Sequence, residues 1–158
     1  MLKLLKTPPT VTILGDKEVA MADVVWKVNY YYTMVPNTIG AGAKLLNSLK
    51  AEGVDLVALN AFPVSQRRAQ VDFVPPDLDI FFAAAKKLGL KIVGPRYAIL
   101  IQGKNRAGAL AEALTKLGKA RINVTAVQGI SSGDGRFGAI IWVNQRSVDK
   151  AAKALGIS

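Results

Sequence analysis

The chain has 158 residues, 51% hydrophobic and 20% charged, with a formal net charge of +10 and neither cysteine nor histidine. This composition supplies a packed core and excludes disulfides, thiolate metal sites and histidine-based acid–base or nucleophilic chemistry. No apolar run reaches the roughly 18 residues of a membrane span, and Thr7-Pro8-Pro9-Thr10 breaks the only signal-like start, so a cytoplasmic protein away from membranes is expected.

Residues 1–22 read as an N-terminal extension, with an apolar tetrad at residues 11–14 able to add a strand to a sheet edge. Residues 24–35 are rich in β-branched and aromatic side chains and predict a strand. In Tyr30-Tyr31-Tyr32, Tyr31 should face away from its two neighbours. After Pro36-Asn37-Thr38-Ile39-Gly40, the spacing of Ala41, Leu45 and Leu49 predicts an amphipathic helix, with Asn37 as its N-cap and Gly53 at its end. Residues 54–62 and 67–74 predict two strands. Pro75-Pro76-Asp77 opens a second helix carrying Phe81, Phe82, Ala85 and Leu88, and residues 90–93 give a short fourth strand. The order β-α-β-β-α-β is the ferredoxin-like unit, assigned to residues 23–94.

From Gly94-Pro95 the pattern repeats. Asn37, Gly40, Ala41, Leu49, Val54 and Ala58 correspond to Asn105, Gly108, Ala109, Leu117, Ile122 and Ala126, at a constant offset of 68. A fixed register through two elements and a loop indicates internal duplication. The fold class is therefore α+β: two ferredoxin-like βαββαβ units in tandem, residues 23–94 and 95–158. The second lacks most of its last strand. A missing fourth strand leaves an open sheet edge. The expected occupant is the tetrad at 11–14 or another subunit. Units of about 65–70 residues bury a modest core, which favours tight pairing of the halves, of chains, or both.

The two strand-to-helix loops carry the candidate chemistry. Gly40 and Gly108 let a small molecule approach the backbone, and the free N–H groups of a first helical turn suit a carboxylate. Asp55, and more weakly Asn123, could orient an ammonium. The plain alternative is that Asn caps the helix and Gly-Ala allows close packing. Asp55, Asp72, Asp77 and Asp79 form no acid–base pair by spacing, and no cofactor motif appears, so neither cofactor nor catalysis is expected. The glycine-rich 131–135 segment lies between strands and reads as a hairpin turn rather than a phosphate cradle. Gly135-Arg136-Phe137-Gly138 partly imitates an RNA-recognition strand, but Ala139 stands where a stacking aromatic is needed. The scattered lysines read as a solvated basic surface, and nucleic acid is disfavoured as a partner.

The run from Gly103 to Val124, with Asn105, Gly108, Ala109, Leu110, Leu114, Leu117, Ile122 and Asn123, resembles the ACT-domain signature. Residues 35–57 are similar to it. The resemblance implies ferredoxin-like regulatory modules that bind amino acids between paired domains through this loop and the following strand. It implies ligand contacts at Asn37, Thr38, Ile39, Gly40 and Asp55 in the first unit. In the second it implies Asn105, Arg106, Ala107, Gly108, Ile122 and Asn123. Asn37 and Asn105 stand where the family usually has Asp, Ile39 and Ala107 where it has Pro, and Arg121 where it has Gly. The resulting expectation is a non-catalytic regulatory protein that senses a small amino acid or related metabolite. It would be a homodimer or larger, acting on an enzyme or transcription regulator. RNA binding through the sheet, or a purely structural subunit, are the alternatives.

Overall fold

The computed structural model describes residues 23–157. The expected strand at residues 11–14 lies outside the described residues. Two compact units emerge: Asn29–Tyr97, and residues 98–157 together with residues 23–28. Two long strands, β1 (Val24–Pro36) and β4 (Val93–Lys104), each contribute to both. Of the fourth strand expected at residues 90–93, only Val93 is strand, and it opens the longer β4. It continues through Gly94-Pro95 into the strand expected after it.

In the 29–97 unit, β1 is followed by α1 (Ala41–Ala51), β2 (Ala58–Pro63), β3 (Arg68–Val74), α2 (Leu78–Lys87) and the start of β4. The strand order is β2-β3-β1-β4. β3 runs antiparallel to both neighbours, pairing Phe73 with Tyr31 and Asp72 with Asn60. The helices cover one face. Their stripe residues Leu45, Leu49, Phe81 and Ala84 bury against Tyr31, Val71 and Phe73. The Phe81 ring packs tilted against two others, at centroid distances of 5.8 Å from Tyr31 and 5.5 Å from Phe73. Tyr32 lies on the opposite sheet face with the Arg96 guanidinium 5.2 Å from its ring centre, as the alternation predicts. Asp77 caps α2 by accepting from the Ile80 N–H at 2.9 Å.

Two local expectations are corrected. The helix α1 is not capped by Asn37: its N-cap is Gly40, at φ 82° with no side-chain cap. β2 starts at Ala58, not at residue 54. Gly53 turns at φ 75°, Val54 N–H returns to the Leu49 carbonyl at 3.1 Å, and the Asp55 carboxylate accepts from Leu56 N–H at 2.8 Å. Helix termination therefore consumes the residues that sequence pattern assigns to the strand.

The other unit contains the second half of β4, α3 (Ala109–Lys119), β5 (Val124–Ser131), β6 (Arg136–Val143), a 3-10 turn (Gln145–Ser147) and α4 (Val148–Ala154). β6 pairs antiparallel with β4 and with β5. Ile99, Ile101, Leu117, Ile141, Val148 and Ala151 form its core, with Val25 packed alongside. Phe137 joins that helix-side core at 8% exposure, so its ring is not available for stacking on RNA bases.

The order here is β1-β4-β6-β5. No strand follows α4 among the described residues. The vacant edge is filled by the beginning of β1, where Asp23 lies against Gly103. Neither the 11–14 tetrad nor a second chain is required. β1 is 13 residues long, enough for residues 29–36 to pair in one unit and residues 24–28 in the other.

Candidate functional site

Each duplicated loop sits between a strand end and a helix start, and each Asn is used in the same way. Asn37 N–H donates to the Arg67 carbonyl at 2.9 Å, and its side-chain amide donates to Ser65 O at 3.2 Å and Gln66 O at 3.4 Å. Asn105 N–H donates to Gly135 O at 2.7 Å, and its amide to the Ser131 hydroxyl at 3.1 Å. Both asparagines thus tie their loop to the tip of the neighbouring hairpin. At Asn37 the acceptors are carbonyls, to which an ionised Asp could not donate; at Asn105 the side-chain partner is a hydroxyl.

Beyond the Asn the loops part company. In the 29–97 unit, Thr38, Ile39 and Gly40 form one wall of a cleft of about 540 Å³. Val35 and Pro36 at the end of β1, Ala41, Lys44, Leu45 and Ser48 on α1, and Leu88 and Leu90 after α2 complete it. The lining is mainly apolar, with one cation and two hydroxyls. Ala41 N–H is held by Thr38 O at 3.2 Å, and Lys44 N–H by Gly40 O at 2.9 Å. The N–H groups of Gly42 and Ala43 lie in the first turn, where no helical carbonyl can reach them. Ile39 is fully exposed at the rim. Asp55 is not part of this wall; it is exposed and closes its own turn.

In the other unit the equivalent loop is filled by ion pairs. Arg106 makes a two-pronged contact to the Asp23 carboxylate at 3.1 and 3.0 Å, and donates to Glu112 at 2.6 Å. Hydrogen bonding to Asp23, then to Glu112, raises the Arg106 pKa further above its already high value. Ala107 and Gly108 are exposed, and Gly108 is the N-cap of α3 at φ 81°. Ile122 is buried in the core, and Asn123 is exposed just before β5. The structure therefore brings Thr38, Ile39 and Gly40 to a cleft. It leaves the other sequence-derived positions in tethers, ion pairs, core or turns.

Sequence reasoning missed Lys44, Ser48, Leu88 and Leu90 in the cleft and Asp23 at the second loop. Ala41, Lys44 and Ser48 share a helix face by their spacing, a signal that could have found them. Asp23 is 83 positions from Arg106, and no local pattern links them. Elsewhere, burial raises the Asp72 carboxyl pKa against the opposing effects of Gln70, Asn60 and Arg96. Among the described residues, no group of His, Cys, Asp or Glu could hold a metal ion, and no helix is long and apolar enough to cross a membrane.

Residues 97–156 match the family model of the ACT domain. No curated protein matches the chain. Among solved structures, a protein from Bacteroides thetaiotaomicron is similar at TM-score 0.70 and 18% identity, over 83% of this chain and 88% of that one. The ligand-free regulatory subunit of aspartate kinase from Thermus thermophilus is similar at TM-score 0.59 and 15% identity, over 87% and 97%. The regulatory subunit of aspartate kinase from Thermus flavus follows at 0.51 and 15%, over 86% and 95%. At these identities the likeness establishes the fold.

Proposed function

We propose that this chain is a non-catalytic regulatory protein built of two ACT-like units that binds a small amino acid or a related metabolite and passes its presence to a partner. The observation that carries the reading is the cleft beside Thr38-Ile39-Gly40. It opens at the duplicated strand-to-helix loop, in a chain whose second copy of that loop falls within an ACT-domain match. Its volume falls in the range of about 300–1,000 Å³ usual for small-molecule sites. A mainly apolar wall with a few hydrogen-bonding groups suits a small organic ligand.

Signalling requires that the ligand bind one arrangement better than another. We read the cleft as closed by a domain from a second copy of the chain, which would bury the exposed Ile39 at its rim. Ligand binding would then favour the assembled form. The regulated partner is read as an enzyme or a transcription regulator. A thermal-shift screen of all amino acids at millimolar concentration tests the reading, together with light scattering of the free and ligand-bound protein. A rise in melting temperature for one or a few amino acids is expected. If none raises it, the sensing role fails and a purely structural role takes its place.

A further inference from the structure

We propose that only the cleft of the 29–97 unit takes a ligand, and that the ligand is a small carboxylate with an apolar body, its charge set against Lys44. This rests on the amino-acid-binding reading above and narrows it. At the offset of 68, Val35, Thr38 and Lys44 of the first loop and helix become Gly103, Arg106 and Glu112 of the second. The loop hydroxyl has become a cation, and the helix cation has become an acid.

The consequences are visible in each unit. The cleft lining contains Lys44, Thr38 and Ser48 as its polar side chains and no carboxylate. Among the described residues no acidic side chain pairs with Lys44. Its charge is therefore available to an incoming anion, and the first helical turn beside it adds a field of the same sign. The apolar part of such a ligand would lie on Leu45, Leu88 and Leu90.

At the second loop the chain supplies its own carboxylate. Asp23 lies against Gly103, where the corresponding Val35 carries a side chain, and it holds Arg106 from one side while Glu112 holds it from the other. A diffusing carboxylate would meet two acids and an arginine already engaged by both. The same duplication has thus produced an open anion-accepting cleft and a closed clamp that fastens the start of β1.

The test is an amide-resolved NMR titration of the full chain with leucine, with its keto acid α-ketoisocaproate, and with isoamylamine, which keeps the apolar body and lacks the carboxylate. Leucine and the keto acid are expected to move the amides of residues 38–44, and isoamylamine to leave them in place. Lys44→Ala should weaken binding of both acids about tenfold, and Lys44→Arg should restore most of it. Lys44 is exposed on the helix surface, so both variants fold. Shifts at residues 105–108 instead, equal binding of isoamylamine, or binding unchanged in Lys44→Ala would overturn the proposal while leaving amino-acid sensing intact. So would a polar amino acid bound at the cleft when leucine is not. If no amino acid and no probe moves either loop, the sensing role itself falls, and this assignment with it.

Discussion

Replacing Asn37 by Asp separates the tethering role of that residue from any role in holding a ligand. The side-chain amide of Asn37 donates to two carbonyls of the 64–67 turn, at 3.2 and 3.4 Å, in an exposed setting. Net hydrogen-bond contributions run about 0.5–1.5 kcal/mol each. The length of these two bonds and their exposure place the pair near the bottom of that range, at about 1 kcal/mol together. Asn37→Ala should therefore lose about 1 kcal/mol. Asn37→Asp should lose more at neutral pH, about 1.5–2 kcal/mol, because an ionised carboxylate would face the carbonyl oxygens of Ser65 and Gln66 with no donor. In acid the new carboxyl becomes neutral and regains one O–H donor, so its stability should approach that of Asn37→Ala. Urea unfolding followed by circular dichroism at neutral and acid pH measures all three proteins. If Asn37→Asp matches the wild type within about 0.3 kcal/mol at neutral pH, the tether contributes nothing. The asparagine would then have to be explained by the ligand.

Three further outcomes are expected. Arg121 occupies φ 56°, where the first unit has Gly53 at φ 75°. Relief of that left-handed strain should make Arg121→Gly about 0.5–1 kcal/mol more stable despite the added chain entropy, and a loss on urea unfolding would contradict this. Gly103→Val would drive a side chain into the Asp23 carboxylate. Amide hydrogen exchange over residues 24–28 should rise severalfold as that edge is released, and unchanged protection would show that Asp23 does not fasten it. Asp72 has its pKa raised by burial. A raised folded-state value means its contribution to stability is complete below the ordinary aspartate range and is lost as pH rises through the raised value. Asp72→Asn should therefore gain stability over the wild type as pH rises from acid toward neutral, and a gap that narrows instead would reverse the assigned sign.

Much of the architecture follows from local chemistry. The aromatic and β-branched run before Pro36 makes a strand, the Ala41-Leu45-Leu49 stripe makes a helix that buries its apolar face, and Gly53, Gly89 and Gly156 turn at positive φ where helices end. The offset of 68 between the halves is carried in the residues themselves and foretells two similar loops. It also foretells that Asn37 and Asn105 share a role, though that role is tethering a hairpin rather than capping a helix, because the carbonyl partners of Asn37 lie 28 and 29 positions away and the hydroxyl partner of Asn105 lies 26 away. Where the loops differ, sequence spacing is silent. The edge beside β4 is filled by residues 24–28 because β1 is long enough to pair in both units, a property of the strand's whole length. The same pairing delivers Asp23 to Arg106 and closes the second loop. Lys44 shares a cleft with Leu88 and Leu90 because the segment after α2 is held to β1, where the Thr33 hydroxyl donates to the Lys91 carbonyl at 2.9 Å. Periodicity and duplication reside in neighbouring residues and can be read along the chain. Which loop stays open is set by partners far apart in sequence, and that is fixed only when the strands pair.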